Sequence, residues 1–311
     1  YKRFKEKTQK NLGNNNSIKS IIIFLDYLLS FIIYGTSIAD YFQYEFYKKR
    51  HSERKTFVTW RKHKKIQKMS NDSKDSKIII NKEKFNKVFD QFIKRDWIYI
   101  NDCGYTEFEK FIKKHNEVFV KPSGGSCGQN VYIYKYTQNE NLLNLFERLK
   151  LEKAIIEEKI IQTGELKEFN PDSVNTIRIT TLKRNDDVSI MSSVLRLGNG
   201  KVVNDNVSTG GLVANIDKEY GVIDSYGVDK DSNKFLIHPH TQKQIIGYKI
   251  PYWEQVKSYA KQIANMVPNV RYMGWDIVLK ENGELLLIEG NNDGAHRVQQ
   301  ISSQKGLWLE Y

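Results

Sequence analysis

Asp276, Glu289 and Asn291 are the residues of this 311-residue chain whose types and spacing point most directly to chemistry. One run, Gly274-Trp275-Asp276-Ile277-Val278-Leu279-Lys280-Glu281, leads into Asn282-Gly283, and a second, Glu284-Leu285-Leu286-Leu287-Ile288-Glu289-Gly290-Asn291, leads out of it. Asn-Gly between apolar runs signals a hairpin with a two-residue turn. Glu281 is then expected to face Glu284, and the same count along each strand sets Asp276 opposite Glu289. Asn291 follows on that face opposite Gly274, which leaves open space beside the amide. Like charges level on adjacent strands destabilise a sheet, and carboxylates among Trp, Ile, Leu and Val are costly to bury unpaired. A cation is therefore expected between them. Asp, Glu and Asn together offer the hard oxygen ligands that Mg²⁺ prefers, with waters and substrate phosphates completing the shell. A surface hairpin with a wet polar face would leave the level pair beside Asn and Gly unexplained.

A second segment supplies a partner for such a metal. Val118-Phe119-Val120-Lys121-Pro122 reads as a strand ending in Lys, and Val131-Tyr132-Ile133-Tyr134 as a returning strand. Between them, Ser123, Gly124, Gly125, Ser126, Cys127 and Gly128 form a flexible loop. Its backbone N–H groups can make an anion-binding concavity, and Lys121 adds a point charge. A P-loop of Walker type is excluded, because that motif opens a helix and this loop joins two strands. Gly-rich hairpin loops are common without ligands, so the segment gains meaning only beside the carboxylates. In Asn175-Thr176-Ile177-Arg178-Ile179-Thr180, alternation puts Arg178 on the polar face and the two isoleucines in the core. Its planar guanidinium suits phosphate or a developing oxyanion, or else an ion pair with a neighbouring acid.

Together these segments resemble the ATP-grasp superfamily, whose two α+β lobes clamp ATP. The resemblance implies an ATP-phosphate role for Lys121 and the loop, and a hinge at Glu158-Lys159-Ile160-Ile161 with Glu165 following. Within it, Glu158 would contact the adenine amino group, the backbone at Lys159 and Ile161 would frame the base, and Glu165 would hold the ribose. Asp276, Glu289 and Asn291 match the family's metal triad. An upstream phosphate lysine falls on Lys82, with Lys84 the alternative, in Asn81-Lys82-Glu83-Lys84-Phe85. Over most of the chain the likeness is to the sugar-transfer-associated ATP-grasp group of glycan biosynthesis. It is carried by Tyr34-Gly35, Asp40-Tyr41, Glu53-Arg54, Asn175-Thr176-Ile177-Arg178, Ser208-Thr209-Gly210-Gly211, His238-Pro239, Trp275-Asp276 and Glu289-Gly290-Asn291.

Three regions are expected: a basic helical region over 1–75, a small ATP-grasp lobe with phosphate loop and hinge over 76–165, and a large lobe with the metal site over 166–311. The polar run 70–77 marks the first boundary. Beyond it the pattern reads strand at Ile78, helix 82–92, strand, helix 106–114, phosphate hairpin, helix 138–149 and hinge strand 154–160. A mostly β stretch follows over 173–236, then helix 251–266. The apolar run 18–34 is interrupted by Lys19 and Asp26 and is too short to span a bilayer. A buried helix is expected there, an interfacial one being the alternative.

A content of 40% hydrophobic and 12% aromatic residues describes a folded protein with ample core. Two cysteines, Cys103 and Cys127, are too few for a zinc site or disulfide framework, so a reducing cytoplasm is expected, with the inner membrane face as a second location. The net charge of +12, concentrated over 48–68, fits an anionic membrane surface or acidic polysaccharide. No helix-turn-helix, RNP or zinc-finger pattern accompanies it, so no nucleic acid partner is expected. His238 and His240, without carboxylate company, read as structural.

The resemblance implies a ligase that uses ATP and Mg²⁺ to join a sugar- or glycan-linked carboxylate to an amine through an acylphosphate. A phosphotransferase is the runner-up, and a non-catalytic basic adaptor at a membrane or polyanion surface is the reading from another class.

Overall fold

The computed structural model describes residues 2–13, 17–122, 131–138, 140–200 and 207–311. Its chain opens with five helices, Lys2–Leu12, Ser17–Tyr34, Ile38–Gln43, His51–Arg54 and Trp60–Ser70. Two more, Ser76–Ile80 and Lys82–Ile93, lead to the first sheet. That sheet holds β1 (Trp97–Tyr99), β2 (Glu117–Lys121), β3 (Tyr132–Lys135) and β4 (Ile155–Glu158) in the order β1-β4-β2-β3, antiparallel throughout. Helices Tyr105–His115 and Leu142–Glu152 cover one face, where Val118, Val120 and Ile156 pack on Phe108, Ile112, Phe146 and Leu149. The opposite face carries Lys121 and Glu157, as period-two alternation requires.

The large sheet runs β11-β10-β5-β6-β7-β8-β9. Its strands are β5 (Thr176–Arg184), β6 (Asp187–Leu197), β7 (Leu212–Ile216), β8 (Gly227–Val228), β9 (Lys234–Phe235), β10 (Tyr272–Leu279) and β11 (Leu285–Asn291). Ile177, Ile179, Leu195, Trp275, Ile277 and Leu287 turn one face toward helix Trp253–Ala264 and toward Phe85 and Phe89. On the other face, Val194 and Val213 meet the aromatic cluster of Tyr34, Tyr41, Phe42, Phe46 and Phe57, and Leu182, Met191 and Tyr272 meet Val58 and Ile66. The helical N-terminal region is thus a layer of the large lobe.

Two expectations change. Residues 76–80 are a helix, not a strand, although Ile78, Ile79 and Ile80 are β-branched. The Asp72 carboxylate accepts from the Lys74 and Asp75 amides at 2.7 and 3.0 Å, which starts a helical turn that sends Ile79 into the core. Helix Ser17–Tyr34 is also not wholly buried: Ile23, Ser30 and Tyr34 face inward, while Ile18, Ile22, Leu25, Leu29 and Ile32 remain exposed. Helix Lys82–Ile93 packs through Phe85, Phe89 and Ile93 into the large-lobe core.

Gly290, between Glu289 and Asn291, makes that packing close. A Cβ there would stand 2.9 Å from both Phe85 Cε2 and Trp275 Cζ3. Gly290→Ala is therefore expected to cost about 1–3 kcal/mol through overpacking, read as a lower Tm. An unchanged Tm would contradict this packing.

Candidate functional site

The hairpin reaches the expected register by a different route. Lys280 N–H donates to Glu284 O at 3.0 Å across a three-residue loop in which Gly283 takes φ +80°. This shifts every pair by one, so Ile277 faces Leu287. Ile288 is then left over as a bulge, and beyond it Asp276 faces Glu289 and Gly274 faces Asn291.

Asp276 also lies directly opposite Arg178 on β5, so Glu289, Asp276 and Arg178 form one row across three strands. Arg178 Nε and Nη2 donate to the two Asp276 carboxylate oxygens at 2.5 and 2.6 Å, and Arg196 of β6 adds a bond from Nη1 at 2.6 Å. The space beside Gly274 is filled by Arg178, since a Cβ there would lie 3.2 Å from its Cδ and Nη1. Glycine at 274 is what admits the guanidinium. The charge that the opposed carboxylates require is thus supplied on the Asp276 side by two arginines. Burial would raise the Asp276 carboxyl, but these guanidiniums hold it well below the ordinary carboxylate range.

Glu289 differs. Its side chain is 58% exposed, and its carboxylate stands 3.9 Å from Arg178 Nη2, beyond hydrogen-bond distance. Asn291 Oδ1 accepts one bond, from the Asp293 amide at 2.9 Å, which leaves a lone pair. Desolvation and the adjacent Asp276 carboxylate push the Glu289 carboxyl above the ordinary carboxylate range, and a side-chain bond links the two groups. The donor set fits Mg²⁺, with Glu289 the open ligand.

The lysines converge on the same place. Lys82, held at the start of its helix by the Asn81 cap, donates to Pro122 O at 2.9 Å. Burial, and then the like charge of Lys121, depress its ammonium below the ordinary lysine range, opposed by Glu289 and Glu157. Lys84 is exposed on the same helix. Lys121 pairs with Glu157 Oε2 at 2.6 Å, and Arg95 pairs with the same oxygen at 2.6 Å. Asn86 adds a bond to Glu157 at 3.1 Å. Burial would raise Glu157, yet Arg95 and Lys121 bring it down to about 2. Its ionised form therefore adds stability that is complete above the unfolded value of 4.5 and is lost as pH falls toward about 2. In Glu157→Gln the acid-unfolding profile is expected to flatten across that window. A profile of unchanged slope would contradict the pairing.

The hinge residues lie at the lobe junction. Glu158 lies on the other face of its strand from Glu157: its carboxylate accepts from the Asp96 amide at 3.1 Å, while Glu157 pairs with Lys121. Lys159 sends its side chain to Glu117 at 2.6 Å, and Ile161 is exposed. Gln162 anchors the crossing through Asn175 O and Leu279 O. The Glu165 carboxylate accepts from the Tyr248 hydroxyl at 3.3 Å and borders an open depression lined by Tyr220, Pro251 and Trp253. Ser123, Gly124, Gly125, Ser126 and Gly128, with Cys127, lie outside the described residues.

The N-terminal layer grips the chain just after the triad. Gln67 and Asn71 donate to Asn292 O at 3.2 and 3.1 Å, and Asn71 also donates to Tyr272 O at 2.9 Å. His63 Nε2 bonds to Asp293 O, its ring stacks on His296 at 4.3 Å and 23°, and His296 Nε2 lies 3.2 Å from Asp40 Oδ1. Stacked imidazoles cannot aim their in-plane lone pairs at one ion, so this grouping is a structural clasp. Burial and the adjacent His296 bring His63 down to about 4, keeping it neutral at pH 7. His238 is likewise structural, buried with Nε2 2.7 Å from Gly198 O.

The sequence model of the sugar-transfer associated ATP-grasp family matches residues 61–310. The chain belongs to that family. Its two α+β lobes are the ATP-grasp fold, preceded by a helical N-terminal region. Among solved structures, this ATP-grasp chain is similar to the ATP-grasp ligase PsnB complexed with precursor peptide PsnA2 and AMPPNP, at 14% identity over 72% of this chain and 53% of that one, TM-score 0.42. It is similar to D-alanine–D-alanine ligase from Bacillus anthracis, at 13% identity over 74% and 64%, TM-score 0.42. It is also similar to D-alanyl-alanine synthetase A from Vibrio cholerae, at 12% identity over 76% and 61%, TM-score 0.45. The chain spans between about half and two thirds of the length of these structures. No curated protein matches it.

Arg95, Arg196 and Glu157 are charged residues here that the sequence reading omitted. The signal for Arg196 was a lone charge inside the apolar run Val194-Leu195-Arg196-Leu197, and for Glu157 a position on the strand beside Lys121.

Proposed function

We propose that this ATP-grasp protein is a Mg²⁺-ATP-dependent ligase that couples a sugar- or glycan-linked carboxylate to an amine, in the biosynthesis or modification of a polysaccharide. One observation carries the reading: an open Glu289 carboxylate beside the Asn291 amide, with Lys82 and Lys121 in electrostatic reach, where the two lobes meet. The donor phosphates would lie against Lys82, Lys121 and the backbone of the loop that carries Ser123, Gly124, Gly125, Ser126 and Gly128. The hinge segment with Glu158, Lys159 and Ile161, and Glu165 beyond it, would receive the adenosine.

Bound Mg²⁺, held by Glu289, Asn291 and Asp276, would neutralise phosphate charge. The chain's residues do the remaining work. Arg178 and Arg196 keep Asp276 ionised and fixed in direction. Arg178 spends Nε and Nη2 on Asp276, which leaves Nη1 to stabilise the oxyanion formed when the amine attacks. Glu157 and Arg95 hold Lys121 toward the cleft, so its ammonium is positioned before the phosphates arrive. The substrate carboxylate takes the γ-phosphoryl group as an acylphosphate, the amine displaces phosphate, and ADP and phosphate leave.

Incubation of the pure protein with Mg-ATP and panels of sugar-linked carboxylates and amines, followed by mass spectrometry, tests this assignment. A coupled product that appears together with ADP supports it. ATP consumption without any coupled product across panels that include uronic acids and amino sugars would overturn it.

A further inference from the structure

Helix Ser17–Tyr34 presents a face that the rest of the molecule does not cover. Ile18, Ile21, Ile22, Leu25, Leu29, Ile32 and Ile33 are 53–67% exposed, with Leu28 and Phe31 at 38 and 43%. Their spacing follows one side of a helix about 27 Å long. Soluble monomers ordinarily show apolar patches of no more than roughly 300–600 Å², and a stripe of nine large side chains calls for an occupant.

The acid in this helix does not interrupt the stripe. Asp26 turns to the packed side, where Arg54 reaches its two oxygens at 2.7 and 3.0 Å and the Tyr41 hydroxyl donates at 2.6 Å. The outward face is therefore apolar beyond the exposed Lys19 of its first turn. At its C-terminal end Arg61 caps the helix through Phe31 O and Ile32 O at 2.9 and 3.0 Å, beside Trp60, which is 46% exposed. The helix that Trp60 begins continues with exposed Lys64, Lys65 and Lys68. Residues 17–70 hold eleven Lys and Arg against four Asp and Glu, a net +7 of the chain's +12. Among the described residues, no helix is long and apolar enough to cross a membrane.

We propose that this face docks on an anionic lipid bilayer, with the helix lying in the interface and its apolar stripe inserted below the headgroups. The basic residues around it would meet the lipid phosphates. An interfacial helix binds through buried apolar area together with attraction to anionic lipid, and this surface supplies both. A second copy of the chain fits less well, because a twofold contact through the stripe would set the same basic rim against itself. On the ligase reading proposed above, docking there would hold the enzyme at a membrane surface.

The test is co-sedimentation of the full chain with vesicles of 30% phosphatidylglycerol in phosphatidylcholine, against pure phosphatidylcholine. The wild type is expected to bind the anionic vesicles, and more weakly in high salt. The Ile22→Glu, Leu29→Glu double variant changes only exposed positions. It is expected to keep its circular dichroism and Tm while losing binding at least about tenfold. Lys64→Gln with Lys65→Gln should lower binding and leave MgATP affinity unchanged. The proposal is overturned if the wild type ignores anionic vesicles at low salt or if the Glu variant binds as well as wild type. It is also overturned if sedimentation velocity shows a dimer that the Glu variant dissolves while vesicles recruit neither protein.

Discussion

Glu289→Gln is expected to lower turnover by at least about 10²-fold while leaving the fold intact, with Tm unchanged or slightly raised. The amide keeps the shape but removes the charge from the one carboxylate of the row that opens to the cleft. A change confined to charge at a transition-state contact typically costs this much. The fold is spared because Glu289 makes no hydrogen-bonded ion pair with Arg178, and its loss relieves repulsion with Asp276 across the strands. Steady-state turnover with thermal melting checks both halves. Turnover at the wild-type rate would remove Glu289 from the site.

Asp276→Ala has the opposite signature. Asp276 is 2% exposed and holds Arg178 and Arg196, themselves 5 and 8% exposed, through three bonds. Removing it takes the Asp276 carboxylate away from two buried guanidiniums, and breaking a buried pair costs about 3–5 kcal/mol. Denaturant unfolding should show that loss, and Asp276→Ala combined with Arg178→Met should recover part of it. A stability loss below about 1 kcal/mol, the size of an exposed pair, would mean that the arginines are not held as described.

The different fates of these two carboxylates show what could be read from sequence. Asn282-Gly283 identified the hairpin and its level acids, yet the turn has three residues, not two, and only the bulge at Ile288 restores the register. Two departures of one residue cancelled. Local residue preferences select a turn, but a bulge is set by packing across the sheet, here by the close fit of Gly290 against Phe85 and Trp275. Arg178 was legible because alternation on β5 is regular. Arg196 was not, since its strand joins the site only through the sheet order, which brings β6 beside β5. The hinge motif drew attention to Glu158, whereas strand pairing turns Glu157 toward Lys121. The run 18–34 reads as apolar but for Lys19 and Asp26, and only tertiary packing shows which side the protein covers. That Asp26 points inward depends on Arg54, at a separation in sequence that no periodicity reports.

Activation of a substrate carboxylate as an acylphosphate is measured with Mg-ATP and with hydroxylamine in place of the amine. ADP release is expected to depend on the carboxylate substrate, with a matching hydroxamate, both lost in Glu289→Gln. A stable phosphorylated product with no hydroxamate under any of these conditions would contradict it and mark the protein as a phosphotransferase.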